Sequence, residues 1–87
     1  PDAELLQLKA LLAVEITRVL DERHLTVRKA ESVTQIAAAD FSRIRNADLK
    51  RFTVDRLVTV LSRLGQRVDI AVTVRRKRRA EAHLVPA

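Results

Sequence analysis

Through most of the chain apolar residues recur at intervals of three and four, and near its end they switch to strict alternation. From Glu4 to Arg23, the residues Leu5, Leu8, Leu12, Ile16, Val19 and Leu20 fall on one side and Glu15, Arg18, Asp21, Glu22 and Arg23 on others, which predicts one amphipathic helix of about five turns. Leu6, Leu11 and Val14 widen its apolar surface beyond a single stripe. They are either a partner contact or singly exposed side chains of the kind every surface carries. His24 then faces the carbonyl end of this helix, a position that favours a cation.

Thr26 is a suitable N-cap for a short helix over Val27 to Val33, although Lys29 at its third position cannot complete a capping box. Thr34 and Gln35 break the pattern before Ile36. A turn here ordinarily takes Gly for a left-handed backbone, so Gln35 would bear the steric cost of its Cβ there. A second short helix follows over Ala37 to Asn46, and Ala47 to Arg51 is a polar connector. The next helix has several agreeing signals. Thr53 is its N-cap, Asp55 faces the positive end of the dipole, Phe52 can staple onto Leu57, and Gly65 closes the stripe of Leu57, Val58, Leu61 and Leu64.

Val68, Ile70, Val72 and Val74 then alternate with Asp69, Ala71, Thr73 and Arg75, which predicts a β-strand over residues 67–75. It is the one strand signal in the sequence. A solitary strand leaves its backbone N–H and C=O groups unpaired, so it is expected to pair with a second copy of itself, making these four residues a dimer interface, or with a strand from another protein. The expected fold is therefore all-α, a small helical bundle containing a helix-turn-helix, with one C-terminal strand. Residues 1–75 form the expected domain and residues 76–87 a basic, disordered tail.

The stretch from Leu25 to Phe52 carries most of the functional information. On the helix over 37–46, Phe41 and Ile44 at i,i+3 spacing form the packing side, leaving Ala38, Ala39, Ser42, Arg43 and Asn46 toward the other. A helix lying in the DNA major groove needs that division: an apolar stripe to anchor it, small residues where the groove wall comes close, and donors at base edges. A plain amphipathic helix in a helical domain would have the same periodicity.

Charge sharpens the choice. Seventeen Lys and Arg against eleven Asp and Glu give a formal charge of +6, which favours a polyanionic partner such as nucleic acid. Part of the excess is the run Arg75 to Arg79 in the tail. The chain has two aromatic residues, Phe41 and Phe52, so its core must come from aliphatic side chains. A core so built in 87 residues is thin and often borrows stability from a partner subunit.

Catalytic chemistry finds no footing. The serines Ser32, Ser42 and Ser62 lie inside helical patterns, and neither His24 nor His83 has an orienting partner. With no cysteine, no His pair at ligand spacing and no phosphate-cradling Gly loop, neither an enzyme nor a metal or cofactor site is expected. No apolar run approaches the length of a membrane span, and Pro1 to Ala13 lacks a secretory leader pattern, so the expectation is a cytoplasmic, nucleoid-associated protein.

The run Phe41-Ser42-Arg43-Ile44-Arg45-Asn46, followed by Leu49 to Leu57 and Leu61-Ser62-Arg63-Leu64-Gly65, resembles the Xre family of phage-repressor-like helix-turn-helix proteins. The resemblance covers about Leu8 to Arg76 and is greatest to the small single-domain branch that includes HigA-type antitoxins. It implies a five-helix-like bundle, a major-groove helix over 37–46, and a homodimer on a palindromic operator in double-stranded DNA. It also implies autorepression and a cognate toxin as protein partner. The chain departs from the family pattern at Val27, where Gln is usual, at Glu31, where a small residue is usual, at Gln35, and at the alanines 37–39.

Those departures shift base reading to Ser42, Arg43 and Asn46, with Ala38 or Ala39 against a thymine methyl. Arg43 suits a guanine edge and Asn46 an adenine edge. Arg28, Lys50 and Arg51 are cast as phosphate contacts, which position without specifying. Arg45 is left out because its helical angle directs it away from the groove. Two other functions remain open: a protein-interaction module that holds a partner enzyme through the N-terminal helix or the lone strand and keeps only weak nucleic-acid affinity, and an RNA binder acting through the basic tail.

Overall fold

The computed structural model describes residues 3–74, which form four helices in the order α1 (Ala3–Glu22), α2 (Val27–Thr34), α3 (Ala38–Arg45) and α4 (Val54–Arg63). The long α1 lies against α4 and α3, while α2 packs on α3 and α4, so the helix-turn-helix of α2 and α3 is held from both sides. Between them sits one apolar core, mostly aliphatic, that also takes in both phenylalanines. Leu12, Ile16, Val19 and Leu20 come from α1, Phe41 and Ile44 from α3, and Leu57, Val60, Leu61 and Leu64 from α4 and its end, with Ala30, Ile36 and Phe52 filling between.

The helix starts follow from two threonines. Thr26 Oγ accepts the Lys29 N–H at 3.1 Å and Thr53 Oγ accepts the Arg56 N–H at 3.0 Å, each satisfying an amide that the helix itself leaves unpaired. Phe52 and Leu57, on either side of the second cap, are both buried in the same core, as a hydrophobic staple requires. By contrast Ala37 begins α3 without any side-chain cap, and the acidic Asp40 in the first turn supplies the favourable charge there.

The helix ends share one device. His24, Gln35, Ala47 and Gly65, with φ of 55°, 66°, 58° and 81°, are left-handed residues that terminate α1, α2, α3 and α4 in turn. After α1, α3 and α4 the two-bond Schellman closure is complete. Leu25, Asp48 and Gln66 donate to the carbonyls of Leu20, Arg43 and Leu61, and His24, Ala47 and Gly65 to those of Asp21, Ile44 and Ser62. Gln35 makes the simpler closure, donating its N–H to Glu31 O at 2.8 Å. Glycine meets this geometry without steric cost, yet three of the four positions carry a Cβ.

On the surface of α1, Arg18 lies between Glu15 and Glu22 at 2.7 and 2.8 Å. The hydrogen bond that Arg18 donates to Glu15, then the one it donates to Glu22, pushes the guanidinium pKa up.

The expected C-terminal strand is absent: residues 66–74 have no regular secondary structure, and no strand occurs among the described residues. Alternation records side-chain preference, whereas a strand exists through hydrogen bonds to a neighbour. Every described segment with regular structure is a helix whose backbone groups are committed to its own turns, so residues 66–74 have no ladder partner among the described residues. Its first apolar residue, Val68, is half-buried against the core of its own chain, while Ile70, Val72 and Val74 are exposed. The five-helix arrangement implied by the family resemblance is likewise four helices over the described residues. The basic run at 75–79, His83 and the tail expected over 76–87 lie outside them.

Candidate nucleic-acid interface

The bend between α2 and α3 is fixed by a single buried hydroxyl. Thr34, only 2% exposed, donates its Oγ–H to Ala30 O at 2.7 Å and accepts the Ile36 N–H at 3.1 Å. The Thr34 carbonyl in turn accepts from Arg63 Nη1 of α4 at 3.0 Å. One residue thereby ends α2, aims the chain into α3 and ties the bend to the next helix. In the sequence Thr34 stands out only as a break in periodicity. Its two hydrogen bonds depend on the bend that they stabilise.

From that bend α3 runs with Phe41 and Ile44 buried, and its opposite side presents Ala39, Ser42 and Asn46 to solvent, with Ala38 and Arg43 half-buried beside them. The five residues expected on the outer face are thus brought together on one short helix and its C-cap, Asn46. Arg28 lies in the first turn of α2, and Lys50 and Arg51 lie in the connector between α3 and α4. All three are exposed, and none of their side chains makes a hydrogen bond or ion pair with another described residue. Their charges stay available to an anion.

Two arginines of α3 are engaged differently. Arg45 reaches across to α1 and donates to Asp21 Oδ1 at 3.0 Å. Arg43 donates through Nη1 to Asp40 Oδ1 at 3.0 Å on its own helix, and the other oxygen of Asp40 accepts from Arg56 Nη2 of α4 at 3.5 Å. Neither Asp40 nor Arg56 is singled out by sequence reasoning. The i,i+3 spacing of Asp40 and Arg43 could have revealed the first; the second depends on how α3 and α4 dock.

Chemically this surface offers hydroxyl, amide and guanidinium donors, small apolar side chains, and flanking cations. Groups of these types are able to meet the base edges and phosphates of a duplex. No group of three His, Cys, Asp or Glu that could hold a metal occurs among the described residues, and none of their helices is long and apolar enough to cross a membrane.

A family model described as a helix-turn-helix domain matches residues 1–73, nearly the whole of the 87-residue chain and all but one of the described residues. No curated protein and no solved structure matches the chain. The matched span contains the capped α2, the Thr34 bend, the half-buried α3 and the α4 that braces them. The chain belongs to the helix-turn-helix domain family, whose fold is a DNA-binding unit of regulators.

Proposed function

We propose that this protein is a sequence-specific transcriptional regulator that reads the major groove of an operator as a homodimer, with Arg28, Lys50 and Arg51 on phosphates and Ala38, Ala39, Ser42, Arg43 and Asn46 at base edges. The observation that carries the reading is the outer side of α3. It exposes Ser42 and Asn46 beside small alanines on a helix whose other side is fully buried, within a helix-turn-helix family chain. The likeness of the segment 41–65 to Xre proteins of the HigA type extends it to an autorepressor in the cytoplasm, bound at the nucleoid, and to the antitoxin half of a toxin–antitoxin pair. Subunit association in this reading draws on the apolar residues that follow Val68, namely Ile70, Val72 and Val74, which are exposed.

The test is selection from a random duplex pool at ~0.15 M salt, where nonspecific phosphate binding is weakened, followed by sequencing of what is retained. An enriched palindrome, lost on Arg43→Ala and Asn46→Ala, supports an operator-reading dimer. Binding without enrichment that fades as salt rises refutes it.

A second reading, that the main task is to hold a protein partner, is favoured by α1. Leu6, Leu11 and Val14 are exposed, and Val14 also lines an apolar groove of ≈ 560 Å³ with Ala13, Thr17, Ile44, Ala47 and Leu49. Co-purification with the product of an adjacent gene, lost on Val14→Glu while operator binding persists, would assign this surface to a toxin.

A further inference from the structure

Asp40 is an odd residue to find beside a surface built for phosphates. It is the third residue of α3, it brings a carboxylate next to the side proposed to meet DNA, and its side chain is 24% exposed. Its charge serves neither the core nor a metal. Both carboxylate oxygens are used on arginines instead: Oδ1 accepts from Arg43 Nη1 at 3.0 Å and Oδ2 from Arg56 Nη2 at 3.5 Å. The two arginines come from different helices, one from the proposed reading helix and one from the first turn of α4.

We infer that Asp40 is a positioning residue for base recognition: it fixes the Arg43 guanidinium for a guanine edge, with Arg56 braced on the same carboxylate as a further phosphate contact. The inference rests on the operator-reading function above and names the residue that sets its selectivity. A free arginine loses rotamer freedom when it binds, whereas one already held by a carboxylate has lost part of it beforehand. Arg43 uses only one of its five N–H donors on Asp40, so a fork remains for the O6 and N7 acceptors of guanine. Three charged groups sharing one site leave a net positive charge, so the carboxylate orients the cations without cancelling them.

This arrangement has a signature that a merely structural residue would lack. Removing Asp40 takes a negative charge away from a phosphate-facing surface, so binding to random duplex holds or strengthens. The same change frees Arg43, so selectivity falls. The experiment uses the full chain. Wild type, Asp40→Ala, Asp40→Asn, Arg43→Ala and the Asp40→Ala/Arg43→Ala pair are compared by duplex selection and by titration of selected and random duplexes, with melting curves confirming that each folds.

The expected result is that Asp40→Ala lowers preference at one base pair by roughly 2- to 10-fold, the equivalent of ordering one long side chain. That base pair is the one whose preference Arg43→Ala erases. Asp40→Asn, which keeps an acceptor but not the charge, falls between, and Asp40→Ala has no further effect once Arg43 is gone. If Asp40→Ala leaves that preference intact, or weakens selected and random duplexes by one common factor, the inference is overturned while operator reading stands. If wild type itself enriches no motif, operator reading fails and takes the inference with it.

Discussion

Replacing Thr34 by valine should cost this domain more than replacing it by serine, although valine keeps the shape and adds apolar surface. Thr34 is 2% exposed, and its hydroxyl bridges Ala30 O at 2.7 Å and the Ile36 N–H at 3.1 Å. In Thr34→Val the Ile36 amide, itself in a buried setting, loses its acceptor, a loss of about 1 to 3 kcal/mol. The hydroxyl-to-carbonyl bond disappears as well, at about 1 kcal/mol, and this is offset by roughly the same amount because a buried hydroxyl no longer needs a partner. The net is about 2 kcal/mol. Thr34→Ser keeps both hydrogen bonds and loses one methyl group, about 0.8 kcal/mol. For a domain of this size each kcal/mol corresponds to about 4 to 8 °C, so Thr34→Val should melt roughly 8 to 16 °C below wild type and Thr34→Ser about 3 to 6 °C below. Thermal and urea unfolding followed by circular dichroism read both. If Thr34→Val equals wild type or exceeds Thr34→Ser in stability, the hydroxyl bridge is not what holds the bend.

Three further outcomes follow from the same geometry. Gln35→Gly and Ala47→Gly should each stabilise by roughly 0.5 to 1 kcal/mol, because relief of a left-handed Cβ, about 1 to 2 kcal/mol, exceeds the entropy that glycine adds to the unfolded chain; destabilising urea midpoints for both would contradict the capping account. Arg45→Ala removes an ion pair whose Asp21 is well exposed, so it should cost less than about 1 kcal/mol and leave duplex affinity near wild type, whereas a large affinity loss would place Arg45 on the nucleic acid after all. Lys50→Ala and Arg51→Ala should weaken binding evenly across sequences and each reduce the slope of log affinity against log salt by about 1; a change in base preference would recast them as readers.

Those expectations draw on features of unequal visibility in the sequence. The course of α1 and α4 was legible because their apolar spacing matches the helix period over many residues, and the starts of α2 and α4 because Thr26 and Thr53 are side-chain caps that act locally. The outer side of α3 was legible for the same reason: with Phe41 and Ile44 inward, helical geometry alone sends Ala39, Ser42 and Asn46 outward. What stayed hidden needs a second element. Val68 to Val74 alternate as a strand would, but a strand is a relation between two segments, and the described residues supply one. Arg56 meets Asp40 across 16 positions only after α3 and α4 dock, and Thr34 finds the Ile36 amide only once the bend exists. The helix ends were half visible, since Gly65 announces itself while His24 and Ala47 do not, and Gln35 could be suspected only from the turn that had to pass through it.

The scarcity of glycine at those ends has a consequence for the molecule taken apart. Between Val27 and Asn46 there is no glycine and no proline, and Gln35, Ala37, Ala38 and Ala39 are all residues that continue a helix readily. No glycine or proline obliges the backbone to reverse at Gln35; the Thr34 hydroxyl bridge that fixes the bend forms only when Ile36 enters the core and Arg63 of α4 holds the Thr34 carbonyl. Severed from α1 and α4, the segment 27–46 would therefore straighten into one uninterrupted rod, most readily in a solvent that favours helices. The angle at which the protein would meet DNA is a property of the assembled domain, and any lesion that loosens α4 would change that angle before it unfolds a single helix.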